Sequence, residues 1–208
     1  MRSLLFALAC TLSLVDVAVA GGVDQLQAFL ANTQTARGVF SQSVLGESGR
    51  TPRLSGGAFV LQRPGKLRWI YQRPYNLLLV VNDEKLWSYD SDLNQATVSS
   101  IDQSLGATPA ALLAGDSLER HFRLTDIGAI DGIEYVEATP TDPDSAFTMV
   151  RIGFVDQLPQ RMEVRDNFGQ NSVLTFSSFE ANPVLPADAF LFAPPPGADI
   201  IGEGTPRQ

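Results

Sequence analysis

The sequence is short of the residues on which most metal and redox sites depend. Among 208 residues there is 1 cysteine, Cys10, and 1 histidine, His121. One histidine cannot form a histidine-based metal cluster or a paired-histidine mechanism. The cysteine lies in an N-terminal segment that we predict below to be removed, so the mature chain would contain no thiol and no disulfide. We therefore expect no metal site and no cofactor.

Positive charge is also scarce. The chain has 15 lysine and arginine residues against 23 aspartate and glutamate residues, which gives a formal net charge of −8. Nucleic acids and anionic lipid surfaces attract cationic proteins, so this balance argues against either partner. After residue 20, no apolar run approaches the roughly 20 residues that a membrane-spanning helix needs. The composition therefore predicts an acidic protein with no membrane-spanning segment.

Residues 1–20 have the features of a secretory signal peptide: a positive start, an apolar run over 4–15, and a small-x-small cleavage site at 18–20. A membrane anchor is disfavoured because the run is too short and is followed by an acidic residue. A lipoprotein signal ending at Cys10 is disfavoured because the apolar region before the cysteine is short and has an alanine where a larger aliphatic residue is usual. We predict cleavage after residue 20, which leaves 21–208 as a single exported domain.

The mature chain opens with a helical pattern and then changes to the period of β-strands. Val23, Leu26, Phe29 and Leu30 form one apolar stripe, and Gly38 follows the predicted end of this helix. Short segments rich in β-branched and aromatic residues come next, separated by turn signals, and they lie near 38–45, 54–63, 66–72, 76–82, 85–90 and 95–99. Even spacing of short strands predicts an antiparallel meander, and hence a barrel or a sandwich.

The middle of the chain interrupts the strands with two further helical patterns. Thr108 is a suitable N-cap, Pro109 fits the first helical position and Gly115 a helix end. A second short helix follows at 116–122. Strands then resume near 122–127, 132–138, 147–155, 159–166 and 171–180. We predict a mainly β (α+β) protein of about eleven strands and about three helices, in which the helices cover one face or one opening of the sheet.

Catalytic motifs are weak, and we predict that the protein is not an enzyme. Ser117 and His121 fall within one helical turn, but no G-x-S-x-G elbow surrounds the serine. Asp90, Asp92 and Asn94 resemble the start of a calcium loop, but the glycine and the bidentate glutamate that such a loop requires are missing. The chain has no P-loop and no G-x-G-x-x-G motif.

Arg63 occupies an unexpected position, on the apolar face of a strand. Alternation places it with Phe59 and Leu61, and across the Pro-Gly turn Leu67, Trp69 and Tyr71 continue that face. A guanidinium group cannot be buried without acceptors, and the uncapped carbonyls at the end of a short helix would be suitable. The pattern therefore indicates an open apolar sheet covered by helices that an arginine holds in place.

Five segments, in order, resemble the periplasmic outer-membrane lipoprotein carrier family, LolA. They are F-S-Q at 40–42, the R-P-x-x-x-x-W block within 61–74, the hairpin at 81–98, the helical T-P-A-A-L-L-A-G at 108–115 and F-L-F-A-P-P-P-G-A-D-I at 190–200. The resemblance covers nearly the whole mature chain. It implies an incomplete antiparallel barrel whose apolar concave face is closed by a helical lid.

The resemblance also implies the function, the partners and the site. The family takes lipoproteins from an inner-membrane ABC transporter, shields their acyl chains and delivers them to the outer-membrane acceptor LolB, and we expect a monomer. Arg63 matches the arginine that bonds to carbonyls at the end of the lid helix, which correspond to Leu113 and Ala114. The residues implied to bind lipid are Leu26, Leu30, Phe40, Phe59, Leu61, Leu67, Trp69, Tyr71 and Leu112.

Two departures from the family pattern concern how the helical lid closes over the apolar face. Leu67 stands where the family often has an aromatic residue, and Ala110 and Ala111 stand where bulky residues begin the lid. A smaller lid buries less apolar surface, which predicts weaker closure or a larger cavity. Two alternatives remain within the same fold: a receptor similar to LolB, and a module that binds free lipid or another hydrophobic ligand.

Overall fold

In the residues that it describes, the computed structural model contains one continuous β-sheet and one complete helix on its inner face. It describes residues 20–46, 51–82, 85–100, 113 and 121–202. The elements are α1 (Gly22–Asn32), β1 (Thr35–Leu45), β2 (Arg53–Gln62), β3 (Lys66–Arg73), β4 (Leu77–Asn82), β5 (Lys85–Asp90), β6 (Gln95–Ser100), β7 (Phe122–Ile130), β8 (Ile133–Pro140), β9 (Phe147–Val155), β10 (Leu158–Asp166), β11 (Asn171–Ala181) and β12 (Asp199–Gly202).

The sheet is an incomplete barrel. Its strand order is β12-β6-β5-β4-β3-β2-β1-β11-β10-β9-β8-β7, so β12 and β7 form its two edges and do not pair with each other. All neighbours are antiparallel except β12, which runs parallel to β6. The prediction of an open, mainly antiparallel sheet is confirmed, whereas the predicted counts are wrong: the described residues contain twelve strands and one helix.

The additional strand is β12, which follows the proline-rich segment at 194–196. Gly197 has φ +81°, a left-handed conformation that glycine adopts without strain. Asn94 fixes the turn, because its Nδ2 donates to Gly197 O at 2.8 Å and its own carbonyl accepts the N–H of Asp199 at 3.0 Å. These contacts redirect the chain so that it pairs with β6.

The helices differ from the prediction in length and in number. The first helix ends at Asn32 rather than near Gly38, because the chain from Thr35 onward pairs with both β2 and β11. Tertiary pairing thus outweighs a local pattern that is compatible with further helix. The helices predicted over 108–115 and 116–122 fall almost entirely outside the described residues; within them, Leu113 and His121 are helical.

The main core lies on the concave face of the sheet. α1 packs across β7, β8 and β9 and inserts Leu26 and Phe29, both fully buried. Trp69 lies at the centre of an aromatic group, with its ring centroid 4.0 Å from that of Phe40 and 5.4 Å from that of Phe59. These contacts fill the concave face beneath the helix.

A second apolar layer covers the convex face of β3 to β6. Leu79, Val80 and Val81 are all buried although successive strand residues point to opposite faces. The chain between β11 and β12 supplies the outer cover: Phe192 contacts Trp87, with ring centroids 5.6 Å apart. The consecutive apolar run in β4 predicts this two-sided burial, and the structure confirms it.

A carboxylate from the sheet caps the start of α1. The N-cap residue, Gly21, has no side chain to satisfy the free N–H groups of the first turn. Asp126 of β7 takes this role, because its Oδ1 accepts the N–H of Val23 at 2.8 Å. A β-carbon at Gly21 would lie 2.8 Å from that oxygen, and one at Gly22 would lie 2.4 Å from the carbonyl oxygen of Tyr135. The two glycines therefore let the helix approach the sheet.

Candidate functional site

Arg63 follows the last residue of β2 and joins three parts of the chain. Its side chain is buried, and every acceptor it finds among the described residues is a main-chain carbonyl. Nε and Nη2 donate to Leu113 O at 3.1 and 2.8 Å. Nη1 donates to Thr33 O at 2.9 Å, and to Phe29 O and Leu30 O at 3.3 Å each.

These acceptors are the ones that a buried cation needs. The carbonyls at the C-terminal end of a helix carry the negative end of its dipole and lack part of their helical N–H donors, although Phe29 O also accepts the N–H of Thr33 at 3.0 Å. α1 has no basic residue in its last turn, so Arg63 supplies the positive charge from the sheet. Its guanidinium carbon also lies 4.5 Å from the centroid of the Phe29 ring. Burial lowers the pKa of Arg63 to about 10, which leaves the group charged at neutral pH.

The sequence led us to expect part of this geometry. The structure places Arg63 against Leu113, whereas Ala114 lies outside the described residues. The bonds to the end of α1 were not anticipated. The absence of a basic residue from the last turn of α1 is the signal that could have found them, because a helix end that lacks its own cation favours one from elsewhere.

Eight of the nine residues predicted to bind lipid are described, and all eight belong to the concave core or pack against it; Leu112 lies outside the described residues. Six of them are at most 2 % exposed: Leu26, Phe40, Phe59, Leu61, Leu67 and Trp69. Leu30 and Tyr71 are partly buried against the same core. The upper part of the concave face, beneath α1 and Leu113, is thus filled by the side chains of the protein itself.

An open cavity of about 780 Å³ occupies the other end of the concave face. Tyr71 alone among the predicted lipid-binding residues lines it, together with Gln42, Val44 and Val164. Sequence reasoning missed the last three. Alternation along β1 from Phe40 would have found Gln42 and Val44, which lie on the same face.

The rim of this cavity exposes apolar side chains. Phe168 is 85 % exposed, Leu54 is 70 % exposed and Tyr75 is 43 % exposed. All three also line the cavity. Large apolar groups clustered around an opening are typical of a surface that contacts a ligand or a partner.

Tyr71 and Gln42 form a polar pair between the filled part and the open part. The Tyr71 hydroxyl donates to Gln42 Oε1 at 2.8 Å. Burial raises the pKa of Tyr71 to about 12, and the Trp69 side chain offsets part of that rise. The hydroxyl therefore stays protonated at neutral pH and acts as a donor.

Other kinds of site find no support in the described part of the chain. No group of three or more potential metal ligands occurs there. No helix there has both the length and the hydropathy to cross a membrane. Asp90, the last residue of β5, stabilises the turn that follows, since its Oδ1 accepts the N–H groups of Asp92 and Leu93. Ser117, which the sequence places within one helical turn of His121, lies outside the described residues.

Comparison with known proteins gives a consistent result. Residues 31–193 match the sequence model of the family described as outer membrane lipoprotein carrier protein LolA. A relative from Dechloromonas aromatica, named outer-membrane lipoprotein carrier protein, is 46 % identical over 195 residues, which span 93 % of this chain and 94 % of the relative. A relative of the same name from Nitrosospira multiformis is 45 % identical over 88 % of this chain and 90 % of its own.

Two solved structures share the fold. The crystal structure of a LolA superfamily protein from Nitrosomonas europaea has a TM-score of 0.52 at 13 % identity, covering 84 % of this chain and 99 % of its own. That of an uncharacterized conserved protein from Thermus thermophilus has a TM-score of 0.53 at 12 % identity, covering 86 % and 96 %. At such low identity these structures support the fold alone.

Proposed function

This chain belongs to the outer membrane lipoprotein carrier family LolA and is a lipoprotein carrier, and from that premise we propose how it binds and transfers its cargo. The acyl chains of the lipoprotein enter the apolar part of the concave face. The carrier receives them from an inner-membrane lipoprotein-releasing ABC transporter and delivers them to the outer-membrane acceptor LolB. It works in the periplasm as a single domain, residues 21–208, after cleavage following Ala20.

The observation that carries this proposal is the set of hydrogen bonds around Arg63. The concave face is lined with apolar residues, and burying an acyl chain there is worth about 0.8 kcal/mol per CH2 group. Because the face is already filled beneath α1 and Leu113, cargo must displace these segments. Arg63 bonds to both of them, so we assign it the role of the latch. Its charge-assisted bonds are worth about 1.5–3 kcal/mol each, which acyl burial can outweigh.

Replacing Arg63 by leucine tests this role. Arg63→Leu removes the bonds that hold the closed state and adds apolar surface beside the ligand. We expect the variant to accept lipoprotein from inner-membrane vesicles but to release it poorly to immobilised LolB, so that loaded carrier accumulates. The measurement is a two-step assay of uptake and then transfer with purified components.

Arg68→Leu is the matched control. Arg68 also donates to main-chain carbonyls, those of Ala189 and Leu191, but it does so on the convex face. We expect Arg68→Leu to transfer cargo as the wild type does once its stability has been allowed for. If Arg63→Leu also transfers cargo normally, Arg63 is not the latch.

Mass spectrometry of the exported protein tests its processing. A chain that begins at Gly21 and carries no lipid agrees with a diffusible carrier. A lipid-modified cysteine at its N-terminus would instead identify an anchored receptor.

A further inference from the structure

The concave face has two zones of different chemistry. Beneath α1 it is apolar and filled, whereas the open cavity at the other end is lined by both apolar and polar side chains. The border between the zones runs through Trp69, which belongs to the filled core, and through Tyr71 and Gln42, which line the cavity. An acyl chain that enters the filled zone from the cavity therefore has its head group near this border.

Hydrogen-bond donors are in excess at the border. The oxygen of the Gln42 side chain is occupied, because Oε1 accepts the Tyr71 hydroxyl. The amide nitrogen of Gln42 donates to no other described residue, although it has two hydrogens to offer. The indole Nε1 of Trp69, which can only donate, is buried and has no partner within hydrogen-bond distance among the described residues, although it lies close enough to the Tyr71 hydroxyl to lower the pKa of that group. Leaving a buried donor unpaired is costly, and an acceptor from a ligand would remove that cost.

We propose that Gln42 and Trp69 form a subsite for the carbonyl group at the head of an acyl chain. Every acyl chain, whether attached as an ester or as an amide, ends in a carbonyl, which is a neutral acceptor without a hydrogen of its own. The carbonyl accepts from the Gln42 amide and the Trp69 indole, and the methylene groups extend into the apolar zone. Tyr71 acts as a positioning residue, because its protonated hydroxyl holds the oxygen of Gln42 and turns the nitrogen toward the ligand. The subsite rests on the proposed acyl binding and adds a polar specificity to it.

Charge separates this ligand from a free fatty acid. The carboxylate of a free fatty acid would pair with a cation. The cavity offers Arg53 for this, whose Nη2 donates to Gln170 Oε1 at 3.0 Å, and not the Gln42–Trp69 subsite. Neither Gln42 nor Trp69 carries a charge. The subsite therefore favours the ester or amide carbonyl over the free acid.

Two glycerolipids that differ only in the carbonyl provide the test. 1-Palmitoylglycerol has an acyl carbonyl, and 1-hexadecylglycerol has an ether in its place. We measure the affinity of the purified exported protein for each by displacement of a hydrophobic fluorophore. One net hydrogen bond between neutral groups corresponds to about a 3- to 10-fold difference in affinity, so the wild type should bind the ester more tightly by about that factor.

The variants isolate the Gln42 amide. Gln42→Leu should bind the ether as well as the wild type does and should lose the preference for the ester. Gln42→Glu keeps the shape but replaces the amide donor by a carboxylate, and it should also lose the preference. Tyr71→Phe should reduce the preference, because the amide is no longer held. Gln27→Leu makes the same chemical change at an exposed position of α1 and should keep the full ratio.

The outcomes separate the subsite from the function. Equal binding of ester and ether by the wild type, or a preference that survives in Gln42→Leu, would overturn the subsite and leave the carrier function intact. Binding of neither lipid would contradict acyl binding itself and the subsite with it. Tighter binding of palmitate than of the ester by an Arg53→Leu variant, which lacks the cation of the cavity, would overturn the assignment to a neutral carbonyl.

Discussion

At the scale of single residues, two polar side chains of the concave face keep the charge state that their surroundings favour. Arg63 remains charged because five hydrogen bonds to main-chain carbonyls replace the water it has lost. Tyr71 remains neutral because burial disfavours its ionised form. The folded state therefore stabilises a charged Arg63 and a neutral Tyr71, and both side chains belong to the proposed site.

The raised pKa of Tyr71 predicts a loss of stability at alkaline pH. Its pKa is about 12 in the folded state against 10.0 in the unfolded state, so the unfolded state loses this proton first. The stabilisation is complete below pH 10.0 and disappears as the pH rises through about 12. We expect Tyr71→Phe to reduce the fall in the free energy of unfolding between pH 9 and 11.5 by about 1–2 kcal/mol, as measured by urea denaturation.

Tyr89→Phe is the matched control, since Tyr89 packs against Phe192 on the other face of the sheet from Tyr71. It should leave the alkaline decline close to that of the wild type. An equal effect of the two substitutions would show that the decline does not arise from the buried hydroxyl.

The residue scale also shows what the sequence could and could not predict. Alternation from Phe59 through Leu61 placed Arg63 on the apolar face, because a period of two fixes which side a strand residue takes. The same rule, applied to β1, would have placed Gln42 in the cavity. It could not show that the concave face is filled near Trp69 and open near Tyr71, since that depends on which distant segments pack there.

At the scale of elements, α1 is held at both ends by side chains from the sheet. Asp126 of β7 caps its first turn, and Arg63 binds the carbonyls of Phe29 and Leu30 in its last turn. The sequence predicted the apolar stripe of this helix but not these anchors. N-cap rules apply to neighbouring residues, and Asp126 is 103 residues away from the N–H that it accepts.

The cap predicts a specific pair of effects. Asp126→Ala leaves the first-turn N–H groups of α1 without their acceptor and should lower the free energy of unfolding by about 1 kcal/mol. Asp126→Asn keeps an oxygen in place and should lose much less. Urea denaturation of the two variants checks the difference. Equal losses would indicate that charge rather than the hydrogen bond to Val23 stabilises the helix.

At the scale of the whole molecule, charge determines how the carrier meets membranes. A net charge of −8 opposes adsorption to anionic lipid surfaces, from which a diffusible carrier must part readily.

This charge predicts the behaviour of the unloaded protein with vesicles. At low salt the delipidated protein should stay in the supernatant when vesicles of phosphatidylglycerol and phosphatidylethanolamine are sedimented. Neutral phosphatidylcholine vesicles serve as the control for binding through the apolar rim. Substantial co-sedimentation with the anionic vesicles would contradict the prediction and favour a role at the membrane.

The two edge strands of the sheet, which do not pair with each other, have a mechanical consequence. In a closed barrel the number and stagger of the strands determine the diameter, so a wider barrel requires hydrogen bonds between strands to break. Here β7 and β12 are free of each other, and small changes in twist at each strand can alter the curvature while every ladder stays intact. The width of the concave face can therefore change without any loss of strand pairing. We expect this flexibility of the sheet to let one carrier accommodate acylated cargo of different size. The carrier would then select its cargo by the presence of acyl chains and not by the identity of the attached protein.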